Sequence, residues 1–315
     1  MLHAPAPLFT DIFPGPDTGV AHWIETSDGK KLRVAHWSVK GARGTVLLFP
    51  GRTEYIEKYG VIAGEFAKRG LAVMAIDWRG QGLADRMLPD RRIGYVDTFQ
   101  DYQKDVAAMM RAARSLQLPR PFFLLAHSMG GCIGLRAVIE GLSVQAAAFT
   151  APMWGIHIAR HLRPVAMVLS QLMPKIGHGH RLPVGTKPDP YVSVEPFEDN
   201  MLTTDKSMYD MMRDQLAAHP DLSLGGPSYV WLREALSETK HLALRAAPSL
   251  PCITFLGTNE RIVHLARIKD RMENWKNGHL QMVEGAEHEI LMETPALRDA
   301  AIDDITRLFL GNAKS

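Results

Sequence analysis

The chain has 315 residues, a formal net charge of +2, and a composition that is 46% hydrophobic and 22% charged. This length supports one large domain with an insertion or two modest domains. The composition excludes a disordered chain, and the near-neutral charge excludes a nucleic-acid binder that depends on bulk electrostatics.

The N-terminus, the cysteines and the longest charge-free stretch bear on location. The first 19 residues lack the basic segment and the unbroken apolar run of a secretory signal. Cys132 and Cys252 lie in apolar stretches, and two buried thiols do not make a disulfide framework. Residues 141–159 carry no charge but contain Pro152 and polar side chains, so they indicate a strand and a loop rather than a membrane span. We expect a cytoplasmic protein.

The predicted elements begin with two β-like runs, 21–27 and 31–38, joined by the hairpin signal SDGK at 27–30. Apolar runs bounded by Gly, Pro and Asp then alternate with stretches of helical spacing, which is typical of a parallel sheet built from βαβ units. The near-continuous apolarity of these runs suits strands covered on both faces. The predicted strands are 44–49, 71–76, 121–126, 144–149, 251–256 and 279–283, and the predicted helices are 57–69, 98–117, 129–141, 263–275 and 295–310.

The alternation stops after Pro152 and resumes near Pro248. The roughly 95 residues between them are too many for a loop in a compact domain, and their helical patterns predict an inserted subdomain. Seven of the 16 methionines lie in this insertion, where they suit either an adaptable acyl pocket or ordinary packing. The expected division is therefore a core section at 1–152, a helical cap at 153–247 and a second core section at 248–315.

The strongest chemical signal is AHSMGG at 126–131, which follows an apolar strand and opens a helix. This pattern is a nucleophile elbow, in which a strained turn holds Ser128 at the carboxyl end of a strand with its hydroxyl exposed. Small neighbours are needed because the helix and the strand pass close to each other. The alternative is an ordinary helix N-cap serine, but the strand-to-helix junction favours Ser128 as a nucleophile.

A serine hydroxyl needs a base and an orienting carboxylate, which follow in the order Ser, acid, His. The strand 251–256 runs into GTNER, and the strand 279–283 is followed by EGAEH. We therefore predict Glu260 as the acid and His288 as the base. The simpler alternatives are a solvated ion pair between Glu260 and Arg261 and a surface histidine at 288.

The reaction also needs N–H donors for the oxyanion of the tetrahedral intermediate. The backbone of Met129 is the first candidate because it follows the nucleophile. The loop after strand 44–49 bends at Pro50 and Gly51 and offers the N–H of Arg52 as the second. The guanidinium of Arg52 would either bind a substrate phosphate or form a structural ion pair with Glu54 or another nearby carboxylate.

These motifs resemble the lysophospholipase and monoglyceride lipase family of the α/β-hydrolase superfamily, and most closely its bacterial lysophospholipase branch. The resemblance covers about 22–152 and 248–310 and is weak over the insertion. It implies the α/β-hydrolase fold, an insertion that caps the active site, and hydrolysis of single-chain acyl esters by a Ser–His–acid triad without metal or cofactor. The blocks that carry it are FPGRTEY at 49–55, DWRGQG at 77–82, AHSMGG at 126–131, GTNER at 257–261 and GAEHE at 285–289.

Three positions depart from the family pattern. Ala126 replaces the usual first glycine of the elbow and is small enough to fit. Glu260 stands where many members have Asp, and a Glu can serve with a shifted backbone. Pro50 stands where monoglyceride lipases carry His, which leaves the glycerolipid substrate open.

Two further motifs resemble a cofactor site and a metal site but lack essential parts of each, so we expect neither a cofactor nor a metal. GQG at 80–82 lacks the third glycine of a dinucleotide site and indicates a tight turn. HGH at 178–180 has no third ligand at suitable spacing and indicates a loop in the insertion.

Other functions remain open on the sequence alone. The same triad can cleave a small ester, a thioester or a peptide, and the fold can serve as a non-catalytic ligand-binding module. The presence of a candidate for every catalytic role argues against the binding module. The expected partner is a small acyl ester, with no nucleic acid. The head group, the acyl chain and the oligomeric state are not specified.

Residues 153–188 contain five basic residues and no acidic one. Within them, 158–176 predicts an amphipathic helix flanked by basic residues. Such a helix can lie at an anionic membrane surface, or its apolar stripe can pack on the protein's own core. The stripe consists of Leu162, Val165, Ala166, Leu169, Leu172, Met173 and Ile176.

Overall fold

The computed structural model describes residues 4–313, so the first three residues of the expected 1–152 section and the last two of the 248–315 section lie outside it. The strands are β1 Pro5–Ala6, β2 Gly19–Glu25, β3 Lys31–Trp37, β4 Thr45–Phe49, β5 Ala72–Asp77, β6 Phe122–His127, β7 Ala147–Thr150, β8 Cys252–Gly257 and β9 Gly278–Val283. The α-helices are α1 Gly60–Lys68, α2 Tyr102–Ser115, α3 Ser128–Ile139, α4 Arg163–Lys175, α5 Tyr191–Val194, α6 Lys206–Ala218, α7 Tyr229–Ala243, α8 Leu265–Glu273 and α9 Pro295–Gly311.

All these strands form a single sheet in the order β1-β2-β3-β5-β4-β6-β7-β8-β9. The pairs β1/β2, β2/β3 and β3/β5 are antiparallel, and every later pair is parallel. The predicted hairpin is β2–β3, and Gly29 in its turn has a φ of 75°, which glycine adopts without a steric penalty. The predicted mostly parallel α/β-hydrolase sheet with an antiparallel start is thus confirmed.

The sheet is buried on both faces because alternate side chains of each central strand enter different cores. In β4, Leu47 and Phe49 join the core beneath α2, α3 and α8, whereas Val46 and Leu48 join the core beneath α1 and α9. This division explains the continuous apolar runs of the central strands. The strand boundaries differ from the predicted ones by up to three residues. The largest difference is at β7, which begins at Ala147 rather than at 144 because its ladders with β6 and β8 start there.

The chain reverses its direction of travel across the sheet at β4. From β4 it moves to β5 on one side, and it then returns to add β6 on the other side. The loops that follow β4 and β6 therefore diverge from adjacent strands at one edge, where open α/β sheets bind ligands. The register pairs Phe49 with Ala126, so both loops begin at the same level.

A buried ion cluster ties the antiparallel side of the sheet to the loop after β4. The Arg33 guanidinium lies 2.7 Å from Glu57 and 2.8 Å from Asp77, and all three side chains are fully buried. Asp77 also accepts the backbone N–H groups of Ile56 and Leu83, each at 2.9 Å. These bonds fix the start of the 3₁₀ turn Ile56–Tyr59 relative to β5.

The segment between β7 and β8 contains α4 to α7, and α4 packs against α7. Within residues 4–313, no helix is both long enough and apolar enough to cross a bilayer.

Candidate active site

Ser128 lies where β6 ends and α3 begins, with a φ of 48°. A non-glycine residue with this backbone conformation is strained, as expected for an elbow. The glycines that follow permit the close approach: a Cβ at Gly130 would overlap the carbonyl oxygen of Phe49, and one at Gly131 would overlap Pro152. The turn leaves Ser128 partly exposed, whereas its neighbours His127 and Met129 are buried.

The structure brings Ser128, His288 and Glu260 into one hydrogen-bonded line. The Oγ of Ser128 is 2.9 Å from Nε2 of His288, and Nδ1 of His288 is 2.7 Å from Oε2 of Glu260. Glu260 lies just beyond β8, and His288 lies beyond β9, so both emerge at the same sheet edge as Ser128. A hydroxyl, an imidazole and a carboxylate in this order can activate the hydroxyl as a nucleophile and carry its proton.

Glu260 uses both of its oxygens. While Oε2 faces His288, Oε1 accepts the backbone N–H groups of Ile262 at 2.6 Å and Val263 at 3.0 Å. Burial acts to raise the pKa of this carboxyl, but His288 and the two N–H donors outweigh it and hold the pKa below its ordinary value. The alternative ion pair with Arg261 is absent, because Arg261 binds Asp199 at 2.8 Å.

The loop after β4 is held on several sides. The indole Nε1 of Trp78 donates to the carbonyl of Pro50 at 2.9 Å, and the side-chain amide of Gln81 donates to the carbonyl of Gly51 at 2.8 Å. The turn at 80–82 thus positions the loop after β4. Gly80 and Gly82 of this turn adopt positive φ values of 84° and 55°. Among residues 4–313, the N–H groups of Arg52 and Met129 have no protein acceptor.

A buried polar cluster beside the triad was missed by the sequence analysis. The carboxylate of Glu54 accepts the N–H of Gly51, the hydroxyl of Tyr59 at 2.6 Å and the ammonium of Lys58. The same ammonium lies 2.8 Å from Glu289. The i, i+4 spacing of Glu54 and Lys58 was the available signal, but nothing in the sequence pairs Lys58 with a residue 231 positions away.

His127 completes this cluster. Its Nδ1 is 3.0 Å from the Thr150 carbonyl, its Nε2 is 3.3 Å from Glu289, and its ring centre is 4.8 Å from that of His288. Burial acts to lower the pKa of His127, but Glu289 and Glu54 outweigh it and raise the pKa above its ordinary value. For Glu289, burial acts to raise the pKa, yet Lys58 and His127 hold it well below the ordinary range. The Lys58 ammonium therefore lies between two buried carboxylates, and the His127 ring lies beside one of them.

Glu54, His127 and Glu289 also present potential metal-ligand atoms within 4.8 Å of one another. The Lys58 ammonium already bonds both carboxylates. The charge that a divalent ion would neutralise is thus already compensated, and we assign no metal to this cluster.

Ser128 and His288 line a cavity of about 360 Å³ whose lining is mostly apolar. The core contributes Ser128, His288 and the loop after β4, and the segment between β7 and β8 contributes most of the apolar side chains. The lining residues from that segment include Met153, Ile156, Val192, Met201, Leu202, Met212, Leu216, Trp231 and Leu232.

The fold and this arrangement define a class: the chain is an α/β hydrolase, and comparison with known proteins places it among the serine ester hydrolases. The family model described as "Serine aminopeptidase, S33" matches residues 40–295. Lysophospholipase L2 of Escherichia coli (strain K12) is 32% identical over 276 residues, which cover 84% of this chain and 79% of that protein. The chain belongs to the family that this model describes, and the resemblance to lysophospholipases and monoglyceride lipases inferred from its motifs is confirmed.

Two further comparisons agree. A monoacylglycerol lipase of Mycolicibacterium smegmatis is 25% identical over 273 residues, which cover 84% of this chain and 87% of that protein. A solved structure of a soluble variant of monoglyceride lipase from Saccharomyces cerevisiae has a TM-score of 0.70 at 21% identity, covering 93% and 94% of the two chains. This structural match supports the fold alone.

The first prediction concerns Glu54→Gln. Because an amide cannot accept all three of the hydrogen bonds that Glu54 accepts, at least one buried donor loses its partner, which costs about 1–3 kcal/mol of unfolding free energy. The loop after β4 should shift, and we expect kcat for ester hydrolysis to fall about tenfold. Urea unfolding and steady-state kinetics measure both effects.

The matched control is Glu65→Gln, which removes a carboxylate from surface pairs with Lys68 and Arg69. An unchanged kcat in a destabilised Glu54→Gln protein would show that Glu54 stabilises the fold without positioning the site.

Proposed function

We propose that this enzyme hydrolyses single-chain acyl esters, such as lysophospholipids or monoacylglycerols, through an acyl-enzyme on Ser128. The observation that carries the proposal is the line from Ser128 through His288 to Glu260, which opens into a mostly apolar cavity. An apolar cavity suits an acyl chain, because burying each methylene contributes about 0.8 kcal/mol. The names of the relatives in Escherichia coli and Mycolicibacterium smegmatis agree with this substrate class.

In the proposed reaction, His288 takes the proton of Ser128 as Oγ attacks the ester carbonyl. The N–H groups of Arg52 and Met129 stabilise the oxyanion that forms. Protonated His288, stabilised by Glu260, then gives its proton to the departing alcohol. His288 then takes a proton from a water molecule as the water attacks the acyl-enzyme carbonyl. It gives that proton to Oγ of Ser128 as the acyl–oxygen bond breaks, and the fatty acid is released.

Residues 153–247 act in this proposal as a cap over the site. Their apolar side chains line the same cavity as Ser128, and Met153, Met201 and Met212 are among them. Methionine side chains adapt to ligands of different shape, which suits variable acyl chains.

A peptidase function, which the family description and the sequence alternatives raise, has less support. An aminopeptidase site needs a free carboxylate for the substrate's ammonium group. Among the cavity-lining residues, Glu54 and Glu289 are both engaged by Lys58.

The second prediction tests Ser128 and His288. Ser128→Ala and His288→Ala should each lower kcat by several orders of magnitude, and the double variant should be little worse than either, because triad members act as a unit. Hydrolysis of monopalmitoylglycerol measures the loss. A fluorophosphonate probe should label the parent protein but not Ser128→Ala. Multiplicative losses in the double variant would contradict a triad.

The third prediction concerns Glu260→Gln. The amide keeps the shape of the side chain but cannot stabilise the imidazolium, so we expect kcat to fall by about 10³ to 10⁴. The control is Asn259→Ala, since the Asn259 amide is exposed and donates only to the carbonyl of Gly285. Near-normal turnover of Glu260→Gln would mean that the acid lies elsewhere.

We also propose that the enzyme contacts an anionic membrane surface through 158–176. On α4 and its ends, Leu162, Val165, Val168, Leu172 and Ile176 are between 45% and 61% exposed. The other part of the predicted stripe, Ala166, Leu169 and Met173, is half-buried. The helix thus has an outward apolar stripe as well as an inward one, and basic residues flank it.

The fourth prediction is a loss of liposome binding on charge reversal. The triple variant Arg160→Glu, Arg163→Glu and Lys175→Glu should bind anionic vesicles less tightly than the parent, because each nearby basic residue contributes about 1 kcal/mol. Co-sedimentation with anionic and neutral vesicles measures binding. The control reverses three exposed basic residues elsewhere: Lys40→Glu, Lys276→Glu and Arg307→Glu. Equal binding by the two triple variants and the parent would refute membrane contact through α4.

A further inference from the structure

Arg52 lines the catalytic cavity without a carboxylate partner. Its Nη1 donates to the carbonyl of Gly225 at 2.6 Å, and its guanidinium carbon lies 5.6 Å from the centre of the Trp231 ring. Glu54, the partner that the sequence offered, is engaged by Lys58 instead. Across residues 4–313, no carboxylate lies within ion-pair distance of Arg52.

Among residues 4–313, each of the other sequestered arginines has a carboxylate partner or at least two carbonyl acceptors; Arg271, for example, has no carboxylate but donates to the carbonyls of Leu242 and Arg245. Arg33 and Arg136 each bind two carboxylates, and so does Arg79. Arg86 has no carboxylate but donates to four backbone carbonyls. Arg52, by contrast, has five N–H donors, and its only acceptor within residues 4–313 is the carbonyl of Gly225.

An unpaired guanidinium in an apolar cavity is costly, and the cost is relieved when a ligand supplies the anion. Burial lowers the pKa of Arg52 to about 10, which still leaves the side chain charged at neutral pH. Lys58, the other cation in the lining, is neutralised by Glu54 and Glu289. Arg52 is therefore the cation available to a ligand in this cavity.

We propose that the Arg52 guanidinium binds the phosphate of a lysophospholipid substrate and so selects phosphodiester head groups over neutral glycerol. This inference rests on the proposed function and specifies its substrate. In the proposed reaction the backbone N–H of Arg52 meets the ester oxyanion, so the side chain starts beside the carbonyl. The backbone nitrogen of an arginine and its guanidinium carbon are separated by as many bonds as the carbonyl carbon of a lysophospholipid's primary ester and its phosphorus. The two groups at each end therefore match in reach. The planar guanidinium fork matches two phosphate oxygens.

The test compares two substrates with the same acyl chain, palmitoyl lysophosphatidylethanolamine and monopalmitoylglycerol, both below their critical micelle concentrations. The quantity measured is the ratio of their kcat/KM values. We expect Arg52→Gln to lower this ratio about 10- to 100-fold, as for the loss of a charged hydrogen bond. Arg52→Lys, which keeps the charge but not the fork, should lower it less. The exposed Arg307→Gln should leave the ratio unchanged.

An unchanged ratio in Arg52→Gln, whether both kcat/KM values fall equally or neither falls, would overturn the phosphate role while the proposed ester hydrolysis stands. So would a parent enzyme that hydrolyses monopalmitoylglycerol but not the lysophospholipid. If the parent hydrolyses neither ester, the proposed function fails, and the binding experiment alone then decides whether Arg52 holds a phosphate.

The binding experiment compares Ser128→Ala with the double variant Ser128→Ala/Arg52→Gln. Calorimetry measures how tightly each binds the lysophospholipid, monopalmitoylglycerol and palmitate. Weaker binding of the lysophospholipid alone supports the phosphate role. Weaker binding of palmitate alone would assign Arg52 to the carboxylate of the product and overturn the proposal. Matching thermal unfolding midpoints establish that the variants are folded.

Discussion

The carboxylate of Glu54 accepts the N–H of Gly51, and the geometry of the site depends on this buried bond. Gly51 lies in the loop that leaves β4, and α3 begins against the same loop because Gly130 has no side chain to keep it away. A shift of Gly51 would therefore move the N–H of Arg52 relative to Ser128. In the proposed reaction this N–H stabilises the oxyanion, and such stabilisation is sensitive to shifts, since donors must lie about 3 Å from the developing charge.

The charges around the cavity follow from the same arrangement. Glu54 and Glu289 share the Lys58 ammonium, and Nε2 of His127 lies 3.3 Å from Glu289. This cluster has no charge left for a ligand, whereas Arg52 on the neighbouring part of the loop has no counter-charge at all. The loop thus combines compensated buried charges with one guanidinium that has no counter-charge, and the proposed selection of a phosphodiester head group rests on this difference.

Much of the fold could be predicted from the sequence because the strands are buried on both faces and so form apolar runs bounded by turn residues. The proximity of Ser128, Glu260 and His288 could be predicted because each follows such a run, and parallel strands end at one edge of the sheet. Beyond the i, i+4 pair of Glu54 and Lys58, chain spacing could not predict the cluster, since its contacts join three separate segments through space: residues 54–58, His127 and Glu289. Nor could periodicity decide the orientation of α4. Its apolar positions cover more than one face, and only the packing against α7 determines which of them remain exposed.

Several carboxylates lie near His288, and local bonding explains why Glu260 is suited to orient it. Glu289 follows His288 directly in the chain, but its side chain turns to Lys58 and His127. Glu260 reaches Nδ1 of His288 with one oxygen while the N–H groups of Ile262 and Val263 fix the other. A glutamate is one methylene longer than the aspartate common in the family, and this pair of backbone donors removes the freedom that the extra methylene adds. The two backbone donors and Nδ1 of His288 therefore hold both oxygens of the longer side chain at this position.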